Sequence, residues 1–259
     1  MQLERTQIRQ AYKQHYKEDL IKRLESELSG ELEGNVPMDF EPAERDAVLA
    51  HMAMKKTPID SHVIIEIACV RSPDELLVAK AAYHSLYKSS LEEDVATHAQ
   101  GDLRQLLVAL VGTYRYDGGE INGKLAFLEA NILREAIEAK PSVLKSKVQL
   151  NAALIVTRMN MEFSITKIMK GDEFLSAMRA AILCLTQPHK YYEKVLRNAI
   201  SKKGINEGDL TRVIVTRAEK DLREIMEVYH KRSSVTLNHA VSKEASGNYR
   251  VFLLKLLGE

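Results

Sequence analysis

A glycine set between polar neighbours returns along the chain at nearly even intervals: Ser29-Gly30-Glu31, Gln100-Gly101-Asp102, Lys170-Gly171-Asp172 and Ser246-Gly247-Asn248. The glycines stand 71, 70 and 76 residues apart, and such a period predicts a stack of similar units. A second pattern travels with the first. Ala11-Tyr12 with Tyr16-Lys17 comes back 71 residues later as Ala82-Tyr83 with Tyr87-Lys88, and Val228-Tyr229 echoes it in the last unit. Tyrosines at i and i+4 lie on one helical face, which predicts paired packing residues, half-buried. A glycine at the junction suits a tight helix-to-helix turn, because it adopts positive φ at no steric cost.

The hydrophobic period is helical almost throughout. Leu103, Leu106, Leu107, Leu110 and Val111 form one stripe at i, i+3, i+4, i+7 and i+8, and EFLSAMRAAILCL and YRVFLLKLL repeat the design. Alternating strand patterns are scarce. Pro42, Pro58, Pro73, Pro141 and Pro188 fall near predicted helix starts or in loops. About five short helices fit each period, which exceeds that of tetratricopeptide, ankyrin or HEAT units. With its glycine at 30, the first unit has no room for its first two helices.

Several functional classes are disfavoured. Lys and Arg number 37 against 36 Asp and Glu, a net charge of +1, so no basic excess points to nucleic acid. No apolar run reaches the roughly 18 residues of a membrane span. The start, MQLERTQIRQ, has no signal-peptide core, which predicts a cytoplasmic protein. Cys69 and Cys184 sit in apolar runs and are expected as reduced core thiols. The eight histidines show no zinc spacing. No nucleophile-and-base set or phosphate loop stands out, so no enzymatic activity is expected.

The chain resembles the plant annexins. The resemblance is carried by TRVIVTRAEKDLREIMEVYHKRSSVTL from Thr211 to Leu237, by SGNY and FLLKLLG at the carboxyl end, and by EIACVRSPDELLVAKAAYHSLYKSSLEEDV with GDLRQLLVALVGTYRYDGGEIN in the second unit. It implies an all-α array of four five-helix repeats. These are residues 1–40 (partial), 41–118, 119–187 (shortened by about one helix) and 188–259. The missing helix predicts partly uncovered apolar faces in the third repeat, at a cost of several kcal/mol. The resemblance also implies Ca²⁺-dependent binding to acidic phospholipid, with arginines such as Arg71 and Arg217 tying helices together. A competent repeat carries a Lys-Gly-x-Gly-Thr-Asp/Glu loop between its first two helices and a carboxylate 39 positions after the Thr. Glycines let the loop turn carbonyls inward, and the carboxylate offers two oxygens to a cation that takes six to eight.

Against that pattern the ion sites are depleted. The first loop would precede Met1, which leaves Glu27 with nothing to cap. The second reads Met54-Lys55-Lys56-Thr57-Pro58-Ile59, with His98 at the carboxylate position, and the third is deleted. The fourth, Ser201-Lys202-Lys203-Gly204-Ile205-Asn206-Glu207, retains one glycine, with Glu244 at the carboxylate position. Carbonyls of Ile200, Lys202 and Gly204 with Glu244 are its candidate ligands, so Ca²⁺ is expected to bind weakly or not at all. Asp102 and Asp172 stand at helix starts and are read as capping residues.

The function expected is peripheral association with acidic membranes, assisted by Lys55, Lys56, Lys202 and Lys203 on the same loops. Nucleic acid is not an expected partner, whereas homo-oligomer or protein partners stay open. The alternatives are a calcium-independent protein-interaction scaffold or a non-functional splice or gene-model variant.

Overall fold

The computed structural model describes residues 2–18, 23, 41–112, 173–201 and 204–259. The twelve helices among them are α1 (Gln2–Tyr16), α2 (Pro42–Lys55), α3 (Ser61–Val70), α4 (Pro73–Tyr87), α5 (Leu91–His98), α6 (Gly101–Gly112), α7 (Glu173–Thr186), α8 (Pro188–Ala199), α9 (Glu207–Arg217), α10 (Leu222–Ser233), α11 (Leu237–Glu244) and α12 (Gly247–Leu256). A two-residue ladder, β1 (Ile200–Ser201) with β2 (Gly204–Ile205), separates α8 from α9. The second and fourth repeats each contribute five helices, α2–α6 and α8–α12. The shortened part of the third repeat and the junctions at Gly30 and Gly171 lie outside the described residues, as do Glu27, Pro141 and Asp172.

The chain forms two compact units, Asp46–Pro188 and Met1–Arg45 with His189–Glu259. Both use the same internal pairing. In the first of them α3 packs on α6, α5 on α6, and α4 on α5; in the other α9 packs on α12, α11 on α12, and α10 on α11. The central helix of each repeat is enclosed on all sides: Val63 to Cys69 in α3 and Leu210 to Arg217 in α9 are buried. Enclosure explains why EIACV and VIVTR read as continuous runs with no polar face. Cys69 and Cys184 are buried and form no disulfide.

Helix ends follow local chemistry. Pro42, Pro73 and Pro188 open α2, α4 and α8, where the missing N–H is no loss. Ser72 with Glu75 and Ser90 with Glu93 close reciprocal capping boxes on α4 and α5. The repeat glycines adopt the expected left-handed turn, with φ of 56° at Gly101 and 58° at Gly247. A second left-handed position was not foreseen. Lys17, Lys88 and Ser234 follow equivalent helices and share φ of 58–59°, so this cap recurs without glycine.

An arginine at the end of each central helix ties its repeat together. Arg71 donates from Nε and Nη2 to both oxygens of Asp46 on α2, at 2.6 and 2.7 Å. Arg217, 146 residues later, makes the same fork to Asp221 at 2.6 Å and lies 4.9 Å over the Tyr192 ring. Tyr192 is the counterpart of Asp46, again 146 residues on. One arginine thus reaches one helix position by an ion pair in one repeat and by a cation–π contact in the other.

The tyrosine pairs are not equally half-buried. Tyr16 is 62% exposed, whereas Tyr83 is fully enclosed. Tyr83 donates to Asp94 at 2.5 Å and meets His51 Nδ1 at 3.3 Å. His51 stacks on Tyr87 at 3.8 Å, so the second-repeat pair belongs to a polar network.

Candidate metal centre

In the fourth repeat the loop after α8 is a tight hairpin. Asn206 N–H donates to the Ala199 carbonyl at 2.8 Å, and the register pairs Ile200 with Ile205 and Ser201 with Gly204. Antiparallel ladders alternate bonded and non-bonded pairs. The Gly204 carbonyl therefore accepts from Ser201 N–H, while the Ile200 carbonyl faces away from its partner strand. Gly204 has φ of 118°, which L side chains rarely adopt. Asn206 is committed elsewhere, because its side chain accepts from Asp209 N–H to cap α9. Helix α11 packs on β1 and ends at Glu244. That carboxylate is exposed, with the Lys243 ammonium 3.8 Å away. Ile200, Gly204 and Glu244 are thus placed on adjoining elements, and Lys202 and Lys203 lie outside the described residues.

These groups fit only part of a calcium shell. Glu244 offers two oxygens and Ile200 an outward carbonyl, while the Gly204 carbonyl already serves the ladder. Calcium takes six to eight oxygens at about 2.3–2.6 Å, so most of the shell would come from water or a ligand phosphate. Among the described residues, no group of three or more His, Cys, Asp or Glu side chains is placed to hold a metal ion. Among the predicted ligands, Glu244 is the one side-chain anion.

The second-repeat loop closes in the same way with different chemistry. Asp60 N–H donates to Ala53 carbonyl at 3.0 Å, the counterpart of Asn206 and Ala199. Lys56 Nζ donates to Asp60 Oδ2 at 3.0 Å, so the loop's carboxylate already has a cation of its own. Lys55 is exposed in the last turn of α2. His98 ends α5 as Glu244 ends α11, and its Nδ1 lies 2.8 Å from the Asp94 carbonyl. A carbonyl only accepts, so Nδ1 carries the hydrogen of this contact.

His98 belongs to a group that the sequence spacing did not reveal. Burial first, then the charges of Lys55 and His98, hold the His51 pKa below the ordinary imidazole value, and Asp94 opposes them. Burial pushes the Asp94 carboxyl upward, but hydrogen bonds from Tyr83 and Ser89 outweigh it, and its pKa is lowered. The Tyr83 hydroxyl is driven far up by burial and by Asp94. The end of α2 and helix α5 therefore share one electrostatic neighbourhood. The signal available in sequence was His98 at the carboxylate position.

Comparison with known proteins agrees with the repeat architecture. A family profile described as Annexin matches residues 2–35, 45–110 and 191–256. The chain belongs to the annexin family. It is 52% identical to annexin-like protein RJ4 of Fragaria ananassa, covering 99% of this chain and 86% of that protein. It is 47% identical to annexin D7 of Arabidopsis thaliana, covering 98% and 85%. Among solved annexins, chicken annexin V in complex with Zn²⁺ superposes with a TM-score of 0.81 at 26% identity, covering 99% of this chain and 86% of that one. Annexin A8 gives 0.80 at 28%, covering 100% and 85%. Annexins bind Ca²⁺ and acidic phospholipid as a family, and this chain is a plant-type member with the all-α annexin fold. The annexin profile leaves residues 111–190 unmatched, the span that includes the expected shortened repeat.

Proposed function

We propose that this annexin associates peripherally with acidic membranes from the cytoplasmic side, mainly through basic charge on its loops, with Ca²⁺ as a weak auxiliary at the fourth-repeat hairpin. The observation that carries the reading is the contrast between the two equivalent loops. One retains Gly204 and Glu244, and the other presents Lys55, His98 and a Lys56–Asp60 pair. At the hairpin, Glu244 and the outward carbonyl of Ile200, joined by that of Lys202, would hold the ion, with the Gly204 carbonyl engaged in the ladder. The ion supplies a positive bridge between the carboxylate and lipid phosphate. A lysine near an anionic surface contributes about 1 kcal/mol. Lys55, Lys202 and Lys203 bring such charge, and Lys56 brings less because Asp60 offsets it. Catalysis has no part in this reading.

Vesicle co-sedimentation tests it. The chain should pellet with phosphatidylserine-containing vesicles at low salt in chelator, release as salt screens the lysines, and gain modestly from Ca²⁺ through Glu244. Absence of pelleting with or without Ca²⁺ at low salt contradicts the proposal.

One observation favours protein-interaction scaffolding as a second reading. Leu77 and Val78 on α4 are 59% and 57% exposed, where α10 carries Arg223 and Glu224. If scaffolding dominates, Leu77→Glu abolishes association with protein while Glu244→Gln leaves it intact.

A further inference from the structure

Asp74 and Ala81 on α4, and Lys88 at its C-cap, stand seven residues apart, and all three are exposed. Seven residues are close to two turns, so they mark the middle of one helical face. Leu77 and Val78 flank that line, 59% and 57% exposed, the two most exposed aliphatic side chains among the described residues. The face therefore has an anionic end, an apolar middle and a cationic end. The equivalent positions around α10, 146 residues later, are Lys220, Arg223, Glu224, Glu227 and Ser234, a solvated set with no apolar middle. Packing within the repeat does not call for the difference. The buried side of each helix is complete without it, with Leu76, Ala79 and Tyr83 in α4 and Leu222, Ile225 and Tyr229 in α10.

We propose that this face of α4 pairs with the same face of a second copy of the chain, antiparallel about a twofold axis at Ala81. The order of charges argues for a copy of itself. Reversal of one helix about Ala81 sets Asp74 opposite Lys88 of the second copy, and the twofold makes that pair twice. The opposed helix dipoles act in the same sense. Ala81 meets its own counterpart at the axis, where a small side chain lets the two backbones approach. Leu77 then lies against His84 of the second copy and Val78 against its Ser85, which removes water from both aliphatic side chains. Lys88 already donates to the Ser85 carbonyl at 2.9 Å, and an ammonium keeps further hydrogens for Asp74. The proposal rests on the protein-interaction reading of Leu77 and Val78 above and names its partner.

The size of the face sets the strength. Helix α4 has 15 residues, which makes it about 22 Å long. One pair of such helices buries less than the roughly 1,200 Å² at which standard stable interfaces begin. The dimer is accordingly transient and populated at high protein concentration. The charge pairs at its rim set register and direction more than affinity.

Sedimentation equilibrium of the full chain at low salt, over about 5–300 μM, measures the pairing. Wild type should show a monomer–dimer equilibrium that Leu77→Glu abolishes. Asp74→Lys and Lys88→Glu should each weaken it about tenfold, because each sets two like-charged pairs face to face. An equimolar mixture of those two variants should recover the wild-type strength, since both pairs of the mixed dimer are again opposite in sign. Circular dichroism checks that every variant is folded as wild type is. A dimer that survives Leu77→Glu, or charge variants that fail to recover on mixing, overturns the assignment. A wild type that is monomeric across the range overturns it too. If Leu77→Glu then still abolishes association with another protein, the interaction reading is spared, and if it abolishes none, both fall.

Discussion

At the residue scale, the buried Arg71–Asp46 fork is the clearest case of a side chain whose partner sets its worth. Asp46 is 3% and Arg71 6% exposed. Removing the guanidinium leaves a carboxylate uncompensated in the interior, a loss of about 3–5 kcal/mol in comparable pairs. Arg71→Ala should therefore lower the urea midpoint sharply, and Arg71→Lys should recover only part, since an ammonium cannot reproduce the planar fork. A change below about 1 kcal/mol would show that the pair is dispensable. His51 makes a prediction about pH. Burial and Lys55 depress its folded-state pKa, so the unfolded chain binds the proton more readily. Stability should be full above the unfolded value of about 6.5 and fall as pH drops from there towards the folded value. His51→Phe keeps the ring on Tyr87 and should flatten that slope in denaturation curves taken across the window. An unchanged slope would assign the proton uptake to other groups.

At the element scale, the helices of the described repeats were legible and their surroundings were only partly so. Gly101 and Gly247 could be placed in left-handed turns because glycine announces that conformation. Lys17, Lys88 and Ser234 adopt it as well, and nothing in their side chains signals it. A left-handed L residue costs about 1–2 kcal/mol, partly regained by the restricted unfolded chain of a non-glycine. Lys88→Gly should thus stabilise the second repeat by about 0.5–1 kcal/mol, read by thermal denaturation, and a loss of stability would mean that the Lys88 side chain matters more than its backbone. Tyr12/Tyr16 and Tyr83/Tyr87 have identical spacing but differ in burial, with Tyr12 half-buried and Tyr83 enclosed, because enclosure of Tyr83 depends on His51 and Asp94, 32 residues before it and 11 after. Spacing reports which face a residue occupies. It does not report what the rest of the fold places opposite that face. The same limit hid Asp46 as the partner of Arg71 and Tyr192 as the ring beneath Arg217.

At the scale of the whole molecule, two repeats with one internal plan carry loops of different chemistry. Interior ties such as Arg71 and Arg217 recur, because both central helices must be held whatever the loops do. The loops face solvent and tolerate change, so Glu244 and His98 occupy one position with opposite chemistry. The sequence offers Ile200, Lys202, Gly204 and Glu244 as candidate ion ligands. Sequence could not show that the ladder engages the Gly204 carbonyl or that Asn206 is taken up in capping α9. Those two commitments are why the hairpin is read as an incomplete shell. Calorimetric titration of the full chain with Ca²⁺, with and without phosphatidylserine vesicles, tests this most directly. The account predicts about one weak ion per chain, with Kd near 10⁻⁴–10⁻³ M, strengthened by vesicles and lost in Glu244→Gln. Binding of two or more ions, or micromolar affinity without lipid, would contradict it.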